Sequence, residues 1–271
     1  MRRALVPALQ PPCLASLGLV TDDYGDFAVD YDWLFDDDAL AGGVAITRPE
    51  VADLLRRAGP GGAVLDAACG TGVDAAALAR QGFHVRASDG SGAMVEAAAA
   101  RFRREGLAIA VQQCLWADLP ETIEERFDVV LCTGNALVHA AGQDAMVRAL
   151  TGLRQAAHAG GHVVIHLRNW EKLHAERRIV QVANRVRTRG GRRCVVFYAW
   201  EVPDRLDQEH IAHVVFVFED GDRIEPHEYR VPLLPVTLGE LRERLQLAGL
   251  REIGTDFSQT ADDYVVIATA T

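Results

Sequence analysis

Apolar residues along this chain follow two rhythms. Between residues 47 and 175, apolar runs at 64–67, 84–88, near Ala110, 127–132 and 162–167 alternate with amphipathic stretches at 73–81, 92–104 and 144–157. Strand-length apolar runs with helices between them predict a parallel sheet covered on both faces. From 176 to 235 the pattern changes to β-branched and aromatic runs at 195–200, 211–219 and 229–233, separated by turns such as Gly190-Gly191 and Asp220-Gly221. This predicts a small antiparallel sheet inserted after the fifth parallel strand. A helix over 238–248 resumes the main fold, and strands at 251–257 and 264–269 close it. The loop between those two is too short for a helical crossover, so they are expected to pair antiparallel. The expected fold is therefore α/β, a doubly wound, mostly parallel seven-stranded sheet with a small antiparallel β insert. Ahead of it, Thr47-Arg48-Pro49-Glu50 reads as a capping box with proline in the first turn, opening a helix to about Arg57.

The first strand runs into the most informative local pattern, Val64-Leu65-Asp66-Ala67-Ala68-Cys69-Gly70-Thr71-Gly72. Two glycines two positions apart let the backbone approach a ligand with no Cβ in the way, and the amides of the following helix face the bound group. Gly70-Thr71-Gly72-Val73-Asp74-Ala75 also satisfies the loose G-x-G-x-x-A form of dinucleotide sites. Asp66 tilts the choice, since its carboxylate would repel a pyrophosphate but attract the ammonium or sulfonium side of S-adenosylmethionine.

Composition narrows the partners. A chain of 271 residues suits one elaborated domain, and its net charge of −10 is dispersed, so neither a nucleic-acid surface nor a polybasic membrane patch is expected. The expected partner is a small molecule. Of 28 basic residues only Lys172 is a lysine, a bias that carries no functional signal. Cys13, Cys69, Cys114, Cys132 and Cys194 show no C-x-x-C spacing, which favours a reduced, cytoplasmic protein without structural zinc. Met1-Arg2-Arg3 and the apolar stretch after it imitate a secretion signal, but Pro11-Pro12 breaks the stretch, so no secretion is expected.

Later segments carry a resemblance. Gly134-Asn135-Ala136-Leu137-Val138-His139 follows the fourth strand, His166-Leu167-Arg168-Asn169-Trp170 the fifth, and Trp116 the third, while Tyr24 lies nine positions before Trp33. With the glycine turn, these resemble the class I S-adenosylmethionine-dependent methyltransferases with their Rossmann-like fold, and specifically the glycine N-methyltransferase and glycine/sarcosine methyltransferase family, over nearly the full length. The resemblance implies a core over 47–175 that binds S-adenosylmethionine, an active-site cover over 1–46, a substrate lid over 176–236 and a completion of the core over 237–271. It implies that the G-N-x-x-x-H segment touches cofactor and substrate and that Arg168 holds a substrate carboxylate. It further implies cofactor contacts from Asp66, Ala67, Gly70, Gly72, Asp89, Gly90, Met94, Leu115, Trp116, Thr133, His139, Tyr31 and Trp33. Two departures stand out: Leu167 replaces the histidine of the family's H-R-N-Y segment, and Gly42-Gly43 lie where the family has an arginine for the cofactor's carboxylate. Tyr198 and Tyr229 are the candidates for the family's substrate-contacting tyrosines.

Each role has an alternative. Asp66 meets the methionine end or caps a turn; Asp89 accepts ribose hydroxyls or serves an Asp-Gly turn; Met94 and Trp116 pack on adenine or fill the core. Leu115 cannot accept from the adenine amine, leaving that to backbone groups. Asn135 is expected to orient the amine by accepting its N–H, or else to cap a helix. His139 contacts the cofactor or relays a proton, with Tyr24 beside it in the catalytic set, and Arg168 clamps a carboxylate or pairs with a nearby Asp. Methyl transfer to an amine needs mainly positioning, worth about 7–11 kcal/mol, and a neutral amine, so rates should rise as the amine titrates. The expected activity is methylation of the nitrogen of a small, carboxylate-bearing amine. The alternatives are a natural-product N- or O-methyltransferase and a non-catalytic S-adenosylmethionine-binding regulator. No metal-ligand cluster is seen in the sequence, and self-association through the N-terminal segment, frequent in the family, is left open.

Overall fold

The computed structural model describes residues 24–140, 142–182 and 186–270, so Cys13 and the N-terminal apolar stretch lie outside the described residues. In chain order the strands are β1 (Ala63–Asp66), β2 (His84–Asp89), β3 (Ala110–Gln113), β4 (Phe127–Cys132), β5 (Ala157–Arg168), β6 (Val180–Val182), β7 (Arg187–Arg189), β8 (Arg192–Glu201), β9 (His210–Asp220), β10 (Arg223–Leu233), β11 (Leu250–Thr255) and β12 (Asp263–Ala270). The main helices are α1 (Pro49–Ala58), α2 (Val73–Arg80), α3 (Gly92–Glu105), α4 (Gln143–Ala156), α5 (Trp170–Ala175) and α6 (Leu238–Leu247).

Seven strands form one sheet in the order β11-β12-β5-β4-β1-β2-β3. β1 to β5 pair in parallel, whereas β12 runs antiparallel to both β5 and β11, as the short final loop requires. The remaining strands make an antiparallel sheet, β10-β9-β8-β6, with β7 beside β8. Alternate residues sort to opposite faces of the large sheet. Val64, Leu131 and Val164 meet Leu54, Leu78 and Phe102 of α1, α2 and α3, while Leu65, Val130 and Ile165 meet Leu150 of α4 and Leu241 of α6. That second cluster continues into the small sheet through Cys194, Val196, Trp200 and Phe216, so the two sheets share one core. Each such aliphatic or aromatic side chain contributes about 1.5–3 kcal/mol on burial.

The expected capping box does not form. Thr47 closes a 3-10 turn, its hydroxyl donating to the Val44 carbonyl, and Arg48 becomes the N-cap of α1 with no side-chain cap. Arg48 reaches instead to Asp256 and Asp263 at the far end of the chain. Pro49 does occupy the first turn. Cys69, Cys114, Cys132 and Cys194 are free and buried, and among the described residues no helix is long and apolar enough to cross a membrane.

Candidate active site

The carboxyl ends of β1, β2, β4 and β5 bring Asp66, Asp89, Asn135 and Arg168 to one edge of the sheet, where open α/β folds form their ligand crevice. On the β1–β2 side, Gly70 and Gly72 take φ of 51° and 81°, conformations that disfavour a side chain. A Cβ on Gly72 would lie 2.7 Å from the Phe102 ring, so this glycine lets α3 pack closely. One on Gly70 would lie 3.5 Å from Tyr31, whose ring covers the turn. Asp89 closes the cradle: its Oδ2 accepts from Gly70 N at 2.8 Å and its Oδ1 from Ser91 N at 3.0 Å. Asp66 is 1% exposed and its Oδ1 has no hydrogen-bond partner. Burial first, then the Asp74 and Asp89 carboxylates, hold the Asp66 carboxyl well above the usual range. A buried acid beside two others, held by the Ala68 and Ala75 amides but with one oxygen unpartnered at the mouth of a glycine cradle, fits a cationic ligand group.

Trp116 walls this half, its Nε1 donating to the Ala67 carbonyl at 2.7 Å. α4 presses on the wall so closely that a Cβ on Gly152 would sit 1.8 Å from the Trp116 carbonyl oxygen. Leu115 is exposed and lies near Gly90, where a Cβ would be 3.5 Å from its Cδ2. Met94 is 2% exposed and so presents no open face, while Thr133 is buried beyond the end of β4.

The segment from Tyr24 to Gly42 lies over the cleft and is tied down on both sides. Toward the cradle, Asp32 accepts from Thr71 Oγ1 and from Arg101, both at 2.6 Å. Toward the small sheet, buried Asp30 accepts from Tyr229 Oη at 2.8 Å and pairs with His227. The Asp30 contact raises the His227 imidazolium above the ordinary histidine range. Arg187 and Arg189 grip the carbonyls of Leu34, Phe35 and Asp32. Within this cover Tyr24 hydrogen-bonds His139 Nε2 at 2.8 Å, Trp33 packs edge-on against Phe218, and the Tyr31 phenol is pushed up by burial and by its neighbours Tyr198 and Asp89.

The β4–β5 half carries positive charge. Arg168 is half-buried, stands 4.9 Å from the Trp200 ring and 5.8 Å from that of Tyr198, and donates through Nη1 to Gln181 at 3.1 Å. Among the described residues it forms no ion pair, and its Nε is buried without a partner. The alternative of a pair with a nearby Asp is therefore not realised, and burial pulls its guanidinium down from the usual range. Asn135 adopts φ 63° and its Oδ1 accepts from Arg168 N at 3.0 Å and Trp170 Nε1 at 3.2 Å. The carbonyl expected to receive an amine N–H is thus already engaged in fixing the end of β5. Of the two tyrosines considered, Tyr198 stands at Arg168, whereas Tyr229 is committed to Asp30.

Sequence reasoning missed Asp30, Asp32, Arg101, Gln181 and Arg187. Asp32 and Arg101 carry no local signature because their partners are distant in sequence. Gln181 and Arg187 become legible only once the register of the insert is known.

Comparison with known proteins follows this geometry. Residues 64–161 match the family model described as a methyltransferase domain. The glycine/sarcosine N-methyltransferase of Parasynechococcus marenigrum (strain WH8102) is 27% identical over 204 residues, 74% of this chain and 67% of that protein. The human (Homo sapiens) glycine N-methyltransferase is 35% identical over 123 residues, 41% of this chain and 42% of that protein, so this alignment spans less than half of the relative's length. Among solved structures, the CcbJ methyltransferase from Streptomyces caelestis superposes with a TM-score of 0.71 at 22% identity, covering 91% of this chain and 97% of that one.

Proposed function

The chain belongs to the S-adenosylmethionine-dependent methyltransferases, and from that premise we propose that it methylates the nitrogen of a small amine carrying a carboxylate. The observation that carries the acceptor class is Arg168, a half-buried guanidinium at the carboxyl end of β5 that has a buried Nε without a partner and no ion pair among the described residues. A buried cation without a counterion is costly, and a planar fork suits a carboxylate. When bound, S-adenosylmethionine supplies an activated methyl that passes to the amine lone pair as the carbon–sulfur bond breaks, leaving S-adenosylhomocysteine, the methylated amine and one proton.

The chain's residues do the holding. Asp66 offers its unpartnered Oδ1 to the cationic methionine end, Gly70 and Gly72 keep the cradle open, and Asp89 retains lone pairs for ribose hydroxyls. Asn135 acts as a positioning residue, fixing the backbone of Arg168 and the ring of Trp170. The Tyr24–His139 pair stands at the end of the G-N-x-x-x-H segment, where it can take up a proton from the amine at His139. Tyr31 and the rest of the cover exclude water from the cradle.

The test is release of S-adenosylhomocysteine across carboxylate-bearing amines, neutral amines and phenols. Turnover of the carboxylate-bearing amines, with kcat/KM falling about a hundredfold or more in Arg168→Ala, is the expected result. Equal activity of wild type and Arg168→Ala on those amines would remove the clamp. Turnover confined to neutral amines or phenols would favour the natural-product reading instead.

A further inference from the structure

The register of the small sheet places a second cation beside this acceptor site. Arg187 on β7 stands opposite Cys194 on β8, and Gln181 on β6 opposite Tyr198. Directly opposed residues project to the same face, and so does every second residue along a strand. Gln181, Arg187, Cys194, Tyr198 and Trp200 therefore share one face, the one that Cys194 and Trp200 bury in the common core and that Arg168 meets.

Arg187 spends Nε and Nη2 on the Phe35 and Leu34 carbonyls at 2.7 and 2.8 Å. Its Nη1 is buried without a partner and, like Arg168, it forms no ion pair among the described residues. Several other arginines held in the structure meet acids, Arg48 with Asp256, Arg101 with Asp32, Arg189 with Asp37 and Arg192 with Glu225, although Arg154 also keeps a buried Nε without a partner. Both guanidiniums bear on one ring, since burial pushes the Tyr198 phenol up while Arg168 and Arg187 each pull it down. Cys194, opposite Arg187, and Tyr198, beside Arg168, lie four residues, roughly 13 Å, apart along β8. That separation favours two anionic groups over one shared carboxylate.

We infer that the methyl acceptor is an amine flanked by two acidic groups, one held by Arg168 and the other by Arg187, so that an aminodicarboxylate is preferred over glycine. This rests on the reading of Arg168 as the acceptor clamp. In that arrangement the main-chain grip of Arg187 aims the guanidinium, and closure of the cover and recognition of the second acid become one event.

Steady-state kinetics on the intact chain with iminodiacetate, aspartate, glycine and sarcosine test it, with thermal shift in the presence of S-adenosylhomocysteine as a readout independent of turnover. The expected result is a KM for the diacids about tenfold below that for the monoacids, and greater thermal protection by iminodiacetate than by sarcosine. Arg187→Gln should raise the diacid KM about tenfold more than the monoacid KM, and Arg187→Lys should recover part of that difference. Equal KM values for the two acid classes in the wild type, or an equal rise for both in Arg187→Gln, would reduce Arg187 to an anchor for the cover and overturn the inference while leaving Arg168 in its role. If Arg187→Gln does not fold, the wild-type comparison of diacids and monoacids decides alone. Absence of transfer to any carboxylate-bearing amine, with no protection by any of them, would remove the underlying reading as well.

Discussion

The two halves of the cleft carry opposite charge and solve opposite problems. Around the glycine turn, Asp66, Asp74 and Asp89 crowd three carboxyls together, and two of them, Asp66 and Asp74, are lifted above the usual range, chiefly by burial. Across the cleft, Arg168 and Arg187 are half-buried, each with one buried nitrogen without a partner and no ion pair among the described residues. The acidic half is short of the charge that S-adenosylmethionine brings, a sulfonium and an ammonium, and the basic half of the charge that the proposed acceptor would bring, an acid. The physical lesson is that a site read without its ligands shows them in reverse, as electrostatic debts left in the packed protein. The halves also differ in how they are built. The acidic half rests on backbone geometry, with positive-φ glycines and amide donors, while the basic half rests on long side chains aimed by cross-strand register.

The sharpest way to break the acidic half alone is through its wall. Gly152→Ala would place a Cβ against the Trp116 carbonyl at the spacing of a severe clash. It should cost about 3 kcal/mol or more of stability, read as a drop in the denaturation midpoint, whereas a loss below about 1 kcal/mol would mean that α4 shifts freely. Next in size, Asp89→Ala removes the group that closes the cradle. Affinity for S-adenosylhomocysteine should fall by about 1.5–3 kcal/mol, roughly ten- to hundredfold, with the acceptor KM affected much less. Comparable losses on both sides would mean that the halves are not separable.

The smallest effect is a matter of protons. Because the folded-state pKa of Asp66 is raised, its carboxyl stays protonated above the ordinary carboxylate range, and any stability from the neutral form is lost as pH rises through the raised value. A cation settling against it reverses the shift, so binding of S-adenosylmethionine at a pH below the raised value should release up to about one proton. Calorimetry in buffers of different ionisation enthalpy reads this directly. The release should vanish in Asp66→Asn, and a wild-type enthalpy that does not depend on the buffer would mean that Asp66 stays neutral in the complex.

The acidic half was the more legible in the sequence. Strand, acidic residue, glycine turn and helix follow one another within twenty residues, and periodicity places β1, β2, β4 and the helices between them to within about a residue, whereas β5 begins at Ala157, five residues before the expected start. Arg168 was also found, because it ends a strand within a recognisable segment. Arg187 was not, since its meaning depends on standing opposite Cys194 in the β7–β8 hairpin, and the apolar run that marks β8 in the sequence begins only at Val195. Asp30 was missed for a similar reason: its partners His227 and Tyr229 lie almost two hundred residues away. The Thr47 capping box failed because a local hydrogen bond to Val44 competed for the same hydroxyl.

The attachment of the cover has one more consequence. Arg187 and Arg189 hold Asp32, Leu34 and Phe35 by their carbonyl oxygens, which every amino acid supplies. Side chains at positions 34 and 35 are therefore not what that grip reads. The cover can change its inner lining by mutation, natural or designed, without coming loose, so the fold separates where its lid is hung from what the lid selects, and new acceptors become reachable by small steps.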